Sequence, residues 1–350
     1  MLTSSEQASH AGRRPWVPHA AAATCGVGVQ APGRLHLGFL DPGASLGRRY
    51  GSLGLVIDGF ETALSLAPAA TDEIDAGLAP GELPRLQRHL VILRQISGCT
   101  QPLRLRLESV LPTHCGLGSG TQLALATGRA FAQVFGLPWS TQDVAQWLGR
   151  GVRSGVGIAG FDLGGFIVDG GPADADAVAP VLARFDFPDA WRVVVVQDGL
   201  LCGLHGSEEV QALARLPAFP REAAADLCHQ VLMKLLPALA EAQFEPFAQS
   251  LSHLQRRIGE HFAPAQGGSM YTSPAVARLM QWVERSGLPA GLGQSSWGPT
   301  AFAFVPSATA AQRLVEQAHA AGRVPPHLSL RVVQGRNRGA ALQATPVPKT

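Results

Sequence analysis

The residues of this sequence that are best suited to do chemistry form a glycine-rich turn between a strand-like and a helix-like segment. Gly116, Gly118 and Gly120 surround Leu117 and Ser119. Glycines let backbone amides approach an anion closely, and a helix start adds unpaired N–H groups and a positive dipole end. An ordinary tight turn would give the same pattern. We predict that a phosphate group binds at Gly116, Gly118, Ser119, Gly120 and Thr121.

Basic side chains elsewhere are candidates for holding further anionic groups. Strand alternation puts Arg34 and His36 on one face, where they either bind an anion or form a solvated surface. Arg150 and Arg153 flank glycines after a predicted helix, where they either bind substrate or complement the helix dipole. We assign the three arginines to substrate binding and give His36 a catalytic role.

Two carboxylates and five cysteines complete the set of reactive side chains. Asp162 and Asp169 lie in a glycine-rich segment. Each is either a metal ligand, a hydrogen-bonding carboxylate or a polar residue at a strand end. The cysteines contain no C-x-x-C pair, which favours reduced thiols in a cytoplasmic protein. No spacing identifies metal ligands.

The surrounding patterns predict an α+β chain with two lobes. Residues 103–108 alternate strictly, as a half-buried strand does, and 121–135 is rich in helix formers. Residues 161–168 also look strand-like, and the apolar run 191–196 suits a buried strand. We predict a flexible tail over 1–24, an N-terminal lobe over 25–188, a C-terminal lobe over 189–335 and a loose tail over 336–350.

Composition excludes several classes of protein. Of 350 residues, 46% are hydrophobic and 15% charged, which argues for a large core and against disorder. The net charge of +2 without a basic block gives no sign of a nucleic-acid partner. The only lysines, Lys234 and Lys349, lie outside any Walker A setting. No apolar run reaches the length of a membrane helix.

Three segments together resemble the GHMP-kinase family. Pro112 to Ser119 matches its P-x-x-x-G-L-G-S core, Ala31 to Gly38 its first motif, and Gly291 to Pro299 its glycine-rich C-terminal segment. The resemblance spans most of the chain. It implies a GHMP-kinase-like fold, with a ribosomal S5 domain 2-like N-terminal lobe, a ferredoxin-like C-terminal lobe and the site between them.

The chain departs from the kinases of that family at two positions. The kinases usually continue G-L-G-S with Ser-Ala, where this chain has Gly120-Thr121. Many kinases also carry S-G-V-D, whose aspartate is thought to activate the acceptor hydroxyl, and here that position is Gly157. Asp162 is the nearest carboxylate that could replace this aspartate, so we name it as a second catalytic candidate.

The same departures resemble the β-ribofuranosylaminobenzene 5′-phosphate synthase branch. The segments 116–123, 164–171 and 295–300 carry this resemblance. It implies condensation of 4-aminobenzoate with phosphoribosyl pyrophosphate, releasing CO2 and pyrophosphate, as the first step of methanopterin biosynthesis. It also implies Mg²⁺ bound with the pyrophosphate, a homodimer, and substrate contacts from Ser295 and Ser296.

Two other functions remain open at this point. An ATP-dependent small-molecule kinase would show ATP turnover with an alcohol acceptor. A non-catalytic sensor on the same fold would bind its ligand without turnover.

Overall fold

The computed structural model describes residues 25–77, 79–174, 177–203, 211–212 and 215–345. The flexible tail predicted over 1–24 lies outside the described residues.

A mixed sheet of seven strands forms the N-terminal lobe. Its strands are β1 (Gly26–Asp41), β2 (Tyr50–Pro68), β3 (Glu73–Asp75), β4 (Leu103–Ser109), β5 (Phe166–Asp169), β6 (Val181–Phe185) and β11 (Ala341–Thr345). They run in the order β11-β1-β2-β4-β3, with β5 paired to β2 and β6 to β5. Buried and exposed residues alternate along β4, as predicted for a half-buried strand.

Four helices accompany this sheet. They are α1 (Leu83–Ser97), α2 (Ser119–Val134), α3 (Thr141–Trp147) and α4 (Val156–Leu163). Helix α2 is buried along most of its length, because alanine, leucine and glycine let it pack closely against β1 and β2. Its close packing fixes the position of the glycine-rich turn that precedes it.

The C-terminal lobe is built on four antiparallel strands in the order β10-β7-β9-β8. These are β7 (Arg192–Asp198), β8 (Gly291–Gln294), β9 (Thr300–Val305) and β10 (Leu328–Val333). The apolar run of β7 is buried on both faces, as predicted. The described helices are α5 (Arg221–Gln230), α6 (Leu236–Ala240), α7 (Phe244–Phe262), α8 (Pro274–Arg285) and α9 (Ala308–Ala320).

One hydrophobic cluster joins the two lobes. Leu35 and Leu37 of β1 belong to the same buried cluster as Val193 of β7, Phe247 of α7 and Phe304 of β9. These five side chains have at most 1% of their surface exposed. The lobes are therefore packed against each other through apolar surface, which holds the segments between them in a defined arrangement.

Two predictions about the chain's course were wrong. Residues 161–163 end helix α4, and the strand begins only at Phe166, because the glycine pair between them breaks both patterns. The predicted loose tail over 336–350 contains β11, which pairs antiparallel with β1. Its short apolar pattern gave too weak a signal for a strand. Residues 346–350 lie outside the described residues.

Two general properties follow from the described residues. None of their helices is long and apolar enough to cross a membrane. The thiols are unpaired, as the spacing of the cysteines predicted, at Cys25, Cys99, Cys115, Cys202 and Cys228.

Candidate active site

The glycine-rich turn joins β4 to α2 in the conformation that its sequence predicts. Gly116 and Gly118 have φ values of 81° and 84°, in the left-handed region that glycine adopts without strain. A Cβ at Gly116 would lie 2.2 Å from the carbonyl oxygen of Ser295. The carbonyl of Gly118 accepts the amides of Thr121 and Gln122, and this starts the helix. Residues 116–121 form the anion loop.

Arg34 on β1 is held against the anion loop. Its Nη1 donates to the carbonyl of Gly116 at 2.7 Å, and its own amide donates to Leu117 at 3.1 Å. Its Nε is buried and has no partner within the described residues. Burial lowers the pKa of Arg34 to about 10, so the guanidinium remains charged at neutral pH. A buried cation without a carboxylate partner is poised to bind an anion.

His36, two residues along the same strand, has 3% of its surface exposed. Its Nδ1 accepts the amide of Gly38 at 3.3 Å, which leaves Nε2 as the N–H donor of the neutral ring. That Nε2 is buried without a partner in the described structure. Burial, followed by the charges of Arg34 and Arg153, lowers the pKa of His36 to about 3. His36 is therefore a neutral hydrogen-bond donor at physiological pH.

Ser295, from the C-terminal lobe, connects the anion loop to strand β1. It follows β8, is fully buried, and donates from Oγ to the carbonyl of Gly116 at 2.7 Å. The same oxygen accepts the amide of His36 at 3.0 Å. Because both bonds are made to protein, the geometry gives Ser295 a positioning role, and the substrate contact of Ser295 stays a prediction. The next residue, Ser296, adopts a φ of 56° and borders the cleft beside His36.

An aromatic cleft lies beside His36. The ring centroids of His36 and Phe39 are 4.6 Å apart, and those of Phe262 and Trp297 are 5.0 Å apart. The space between the side chains is about 30 Å³, enough for water but not for a benzene ring. Glutamine amides from Gln255, Gln266 and Gln294 supply polar groups there. The spacing of these residues along the chain gave no signal for this cleft.

A much larger cavity, of about 900 Å³, lies elsewhere in the C-terminal lobe, between α7, α8 and β8. It borders the aromatic cleft through Gln255, Met270 and Gln294. Neither the anion loop nor Arg34 lines it. We therefore place the candidate site by its chemistry, at the anion loop, and not by cavity size.

A second group of basic residues flanks the anion loop. Arg150 lies beside the end of the anion loop at which α2 begins. Its Nη1 would be 3.3 Å from a Cβ at Gly120. Burial and the charges of Arg85 and Arg88, both on α1, lower the pKa of Arg150. Arg153 lies on the His36 side of the anion loop, because its charge lowers the pKa of His36. Arg85 and Arg88 were not predicted from the sequence, since charges on a helix face usually form a solvated surface.

The two aspartates do not join this cluster. Asp162 accepts the hydroxyl of Thr141 at 2.6 Å, and burial raises its pKa. It lies five residues beyond Gly157 on α4, roughly 7.5 Å farther along the helix axis. The structure therefore does not bring the predicted catalytic Asp162 together with Arg34 and His36.

Asp169 acts as a hydrogen-bond acceptor that organises the backbone. Its carboxylate accepts the amides of Ser52, Gly155 and Gly171 at 2.8 to 3.1 Å, together with the hydroxyls of Ser52 and Ser154. These bonds fix the turn that carries Ser154 and Gly155 before α4. Of the three roles open to Asp169 in the sequence, the structure supports hydrogen bonding.

A preformed metal site is not evident in the described part of the chain. No three His, Cys, Asp or Glu side chains there are grouped to hold an ion. Glu82, a carboxylate whose charge acts on Arg150, is occupied by Arg85 and Thr113. Mg²⁺ commonly takes only one or two carboxylates and otherwise water and substrate phosphates. The residues are thus compatible with an ion that enters bound to a diphosphate.

Comparison with known proteins agrees with this geometry. The GHMP kinases N terminal domain matches residues 86–170, and the GHMP kinases C terminal domain matches 235–324. The β-ribofuranosylphenol 5′-phosphate synthase of Methanothermobacter thermautotrophicus is 31% identical over 336 residues, covering 89% of this chain and 97% of that protein. The chain belongs to the β-ribofuranosylphenol 5′-phosphate synthase family. The family's protein from Archaeoglobus fulgidus is 32% identical, covering 80% of this chain and 88% of its own length.

Solved structures confirm the fold predicted for this synthase-family member. Homoserine kinase from Cytophaga hutchinsonii has a TM-score of 0.64 at 16% identity, covering 93% of this chain and 100% of its own. Mevalonate diphosphate decarboxylase from Enterococcus faecalis has a TM-score of 0.63 at 16% identity, covering 92% of this chain and 99% of its own. At these identities the similarity shows the GHMP-kinase fold and nothing about substrate.

Proposed function

We propose that the protein condenses phosphoribosyl pyrophosphate with a 4-substituted benzoate, forming a C-riboside 5′-phosphate and releasing CO2 and pyrophosphate. The family relationship at 31% identity over nearly the whole relative supports this reaction. The relatives are named for a phenol product, whereas the family resemblance of the sequence implies 4-aminobenzoate as acceptor. Both substituents donate electrons to the ring carbon that bears the carboxylate. We propose 4-aminobenzoate as the preferred acceptor, in the first step of methanopterin biosynthesis.

The reaction balances without a net proton transfer. The C1–O bond to diphosphate breaks, the ring carbon bonds to C1, and the C–CO2 bond breaks to restore aromaticity. A neutral His36 suits this chemistry, because its Nε2–H can orient an oxygen without protonating it. The absence of a nearby Asp162 carboxylate is also consistent, since no hydroxyl has to be deprotonated.

The uncompensated charge of Arg34 is the observation that carries the site assignment. Its Nε is buried without a partner among the described residues, 3.9 Å from where a Cβ at Gly157 would lie. In the kinase pattern that position holds an aspartate, which would neutralise the arginine. With glycine there, Arg34 can bind a substrate phosphate instead. A benzoate carboxylate clamped by Arg34 would resist leaving as CO2, so we assign Arg34 to phosphoribosyl pyrophosphate.

Three further properties extend the proposal. We propose that Mg²⁺ enters with the diphosphate, and that the enzyme is a cytoplasmic homodimer. Light scattering should then give twice the 36.7 kDa mass of one chain. Removing Mg²⁺ with a chelator should abolish turnover, and adding it back should restore turnover.

The decisive experiment follows the carboxyl carbon. Purified protein, Mg²⁺ and phosphoribosyl pyrophosphate are incubated with carboxyl-labelled 4-aminobenzoate or 4-hydroxybenzoate. We expect labelled CO2 only when phosphoribosyl pyrophosphate is present, and faster release from the amino compound. Release from neither compound by folded protein would refute the reaction. ATP turnover with an alcohol acceptor would instead support a kinase.

A further inference from the structure

A basic cluster occupies one face of helix α1 next to the anion loop. Arg85, Arg88 and His89 are spaced i, i+3 and i+4, so they share one face of the helix. Arg85 and Arg88 carry like charges three residues apart, which destabilises a helix, so helix stability does not explain Arg88. Burial, and then the charges of Arg150, Arg85 and Arg88, lower the pKa of His89 to about 3. The four side chains therefore form a single electrostatic group.

The protein supplies little negative charge to this group. Glu82 pairs with Arg85 at 2.8 Å and accepts the hydroxyl of Thr113 at 3.1 Å. Neither Arg88 nor Arg150 pairs with a carboxylate among the described residues. The Nε of Arg150 and the Nδ1 of His89 are buried without hydrogen-bond partners in the described structure. His89 has only 3% of its surface exposed. Buried polar atoms are normally satisfied, so these two atoms are open to a ligand.

The cluster and Arg34 approach the helix start at different residues. The guanidinium carbon of Arg34 would lie 3.3 Å from a Cβ at Gly118, and Nη1 of Arg150 the same distance from a Cβ at Gly120. Gly118 precedes α2 in the left-handed conformation, whereas Gly120 lies in the first turn of that helix. The anion loop thus has one basic group on the His36 side and another on the α1 side.

We propose that Arg85, Arg88, His89 and Arg150 form a subsite for the diphosphate of phosphoribosyl pyrophosphate, while Arg34 holds its 5-phosphate. This proposal rests on the proposed function. The aromatic cleft lies beside His36, so the acceptor approaches from that side. A β-riboside formed directly from an α-diphosphate requires the leaving group on the opposite face of C1. The α1 side of the anion loop meets that requirement.

The test compares two probe ligands by calorimetry: inorganic pyrophosphate and ribose 5-phosphate. Arg88→Gln and Arg150→Gln should weaken pyrophosphate binding about ten-fold or more, as expected for a lost charge-assisted hydrogen bond. Ribose 5-phosphate binding should change much less. Arg34→Ala should show the reverse ranking. Arg313→Gln, at an exposed arginine on α9 in the other lobe, is the matched control and should bind both probes normally.

Several outcomes would overturn the subsite. These are no pyrophosphate binding to the unaltered protein, normal pyrophosphate binding by both glutamine variants, or equal weakening of both probes. Circular dichroism of each variant establishes that it is folded. The CO2-release assay separates this proposal from the reaction itself. Product formation with unchanged pyrophosphate binding in the variants refutes only the subsite. The predicted binding ranking without any product refutes only the synthase activity.

Discussion

Gly157 lies directly in front of Arg34: a Cβ added to this glycine would be 3.9 Å from the arginine Nε and 3.2 Å from Cγ2 of Thr121. A carboxylate at position 157 would therefore face both the guanidinium and the anion loop. The carbonyl of Gly157 accepts the side-chain amide of Gln122 at 2.9 Å, which fixes this approach. The identity of residue 157 consequently decides whether Arg34 is neutralised by protein or by substrate.

We predict that Gly157→Asp weakens phosphoribosyl pyrophosphate binding by about ten-fold or more, because the new carboxylate pairs with Arg34. Calorimetry with phosphoribosyl pyrophosphate measures the effect. Gly157→Asn is the matched control, since it adds nearly the same volume without charge. Equal losses in the two variants would show that crowding against Thr121, and not charge, is responsible.

Replacing Arg34 itself should separate the two substrates. We expect Arg34→Ala to weaken phosphoribosyl pyrophosphate binding more than 4-aminobenzoate binding, because the guanidinium holds phosphate. Titration of each substrate separately gives the two dissociation constants. A larger loss for 4-aminobenzoate would place Arg34 at the benzoate carboxylate and contradict our assignment.

The buried, neutral His36 should make stability depend on pH. Its folded-state pKa of about 3 lies below the ordinary value of 6.5, so the unfolded chain binds the extra proton. The free energy of unfolding therefore falls as pH drops below 6.5 and continues to fall towards pH 3. For one such histidine the loss at pH 5 is about 2 kcal/mol.

Urea unfolding of wild type and His36→Gln at pH 7.5 and 5 tests this. The variant should lose about 2 kcal/mol less than wild type between the two pH values. His89 has a similarly lowered pKa and should behave alike, so His36→Gln/His89→Gln should reduce the dependence further. An unchanged pH dependence in His36→Gln would mean that His36 is not kept neutral by the fold.

Ser295→Ala should loosen the anion loop. The substitution leaves the carbonyl of Gly116 and the amide of His36 without their shared partner in a buried place. We expect a loss of about 1–3 kcal/mol in unfolding free energy and a higher KM for phosphoribosyl pyrophosphate. Thr300→Val is the control, because its buried hydroxyl has no partner in the part of the chain that the structure describes and its loss should cost little. Equal destabilisation by both variants would refute the bridging role.

Local patterns predicted the parts of the site that depend on neighbouring residues. The strand, glycine turn and helix around Gly118 follow from short-range rules, and strand alternation placed Arg34 and His36 together. The order of three motifs predicted the fold. The cleft of Phe39, Phe262 and Trp297 could not be found this way, because it is assembled from both lobes.

Other errors have equally physical causes. Asp162 seemed close to the anion loop by sequence, but α4 carries it along the helix axis towards Thr141. In the sequence, Arg85 and Arg88 resemble a solvated helix face. Only the fold places Arg150, which follows α3, beside them. Strand β11 exists because the edge of β1 is available for pairing, a tertiary condition that five residues of sequence do not reveal.

The return of the chain to its first lobe also determines how the molecule can move. After β10 the amide of Arg336 donates to Val56, its carbonyl accepts Gly165, and Ala340 donates to Phe161 before β11 joins β1. The lobes are thus connected twice, once before β7 and once after β10. Two covalent crossings oppose twisting of one lobe about a single linker. A separation of the lobes beside His36 that keeps both crossings in place is a rotation about the line joining them.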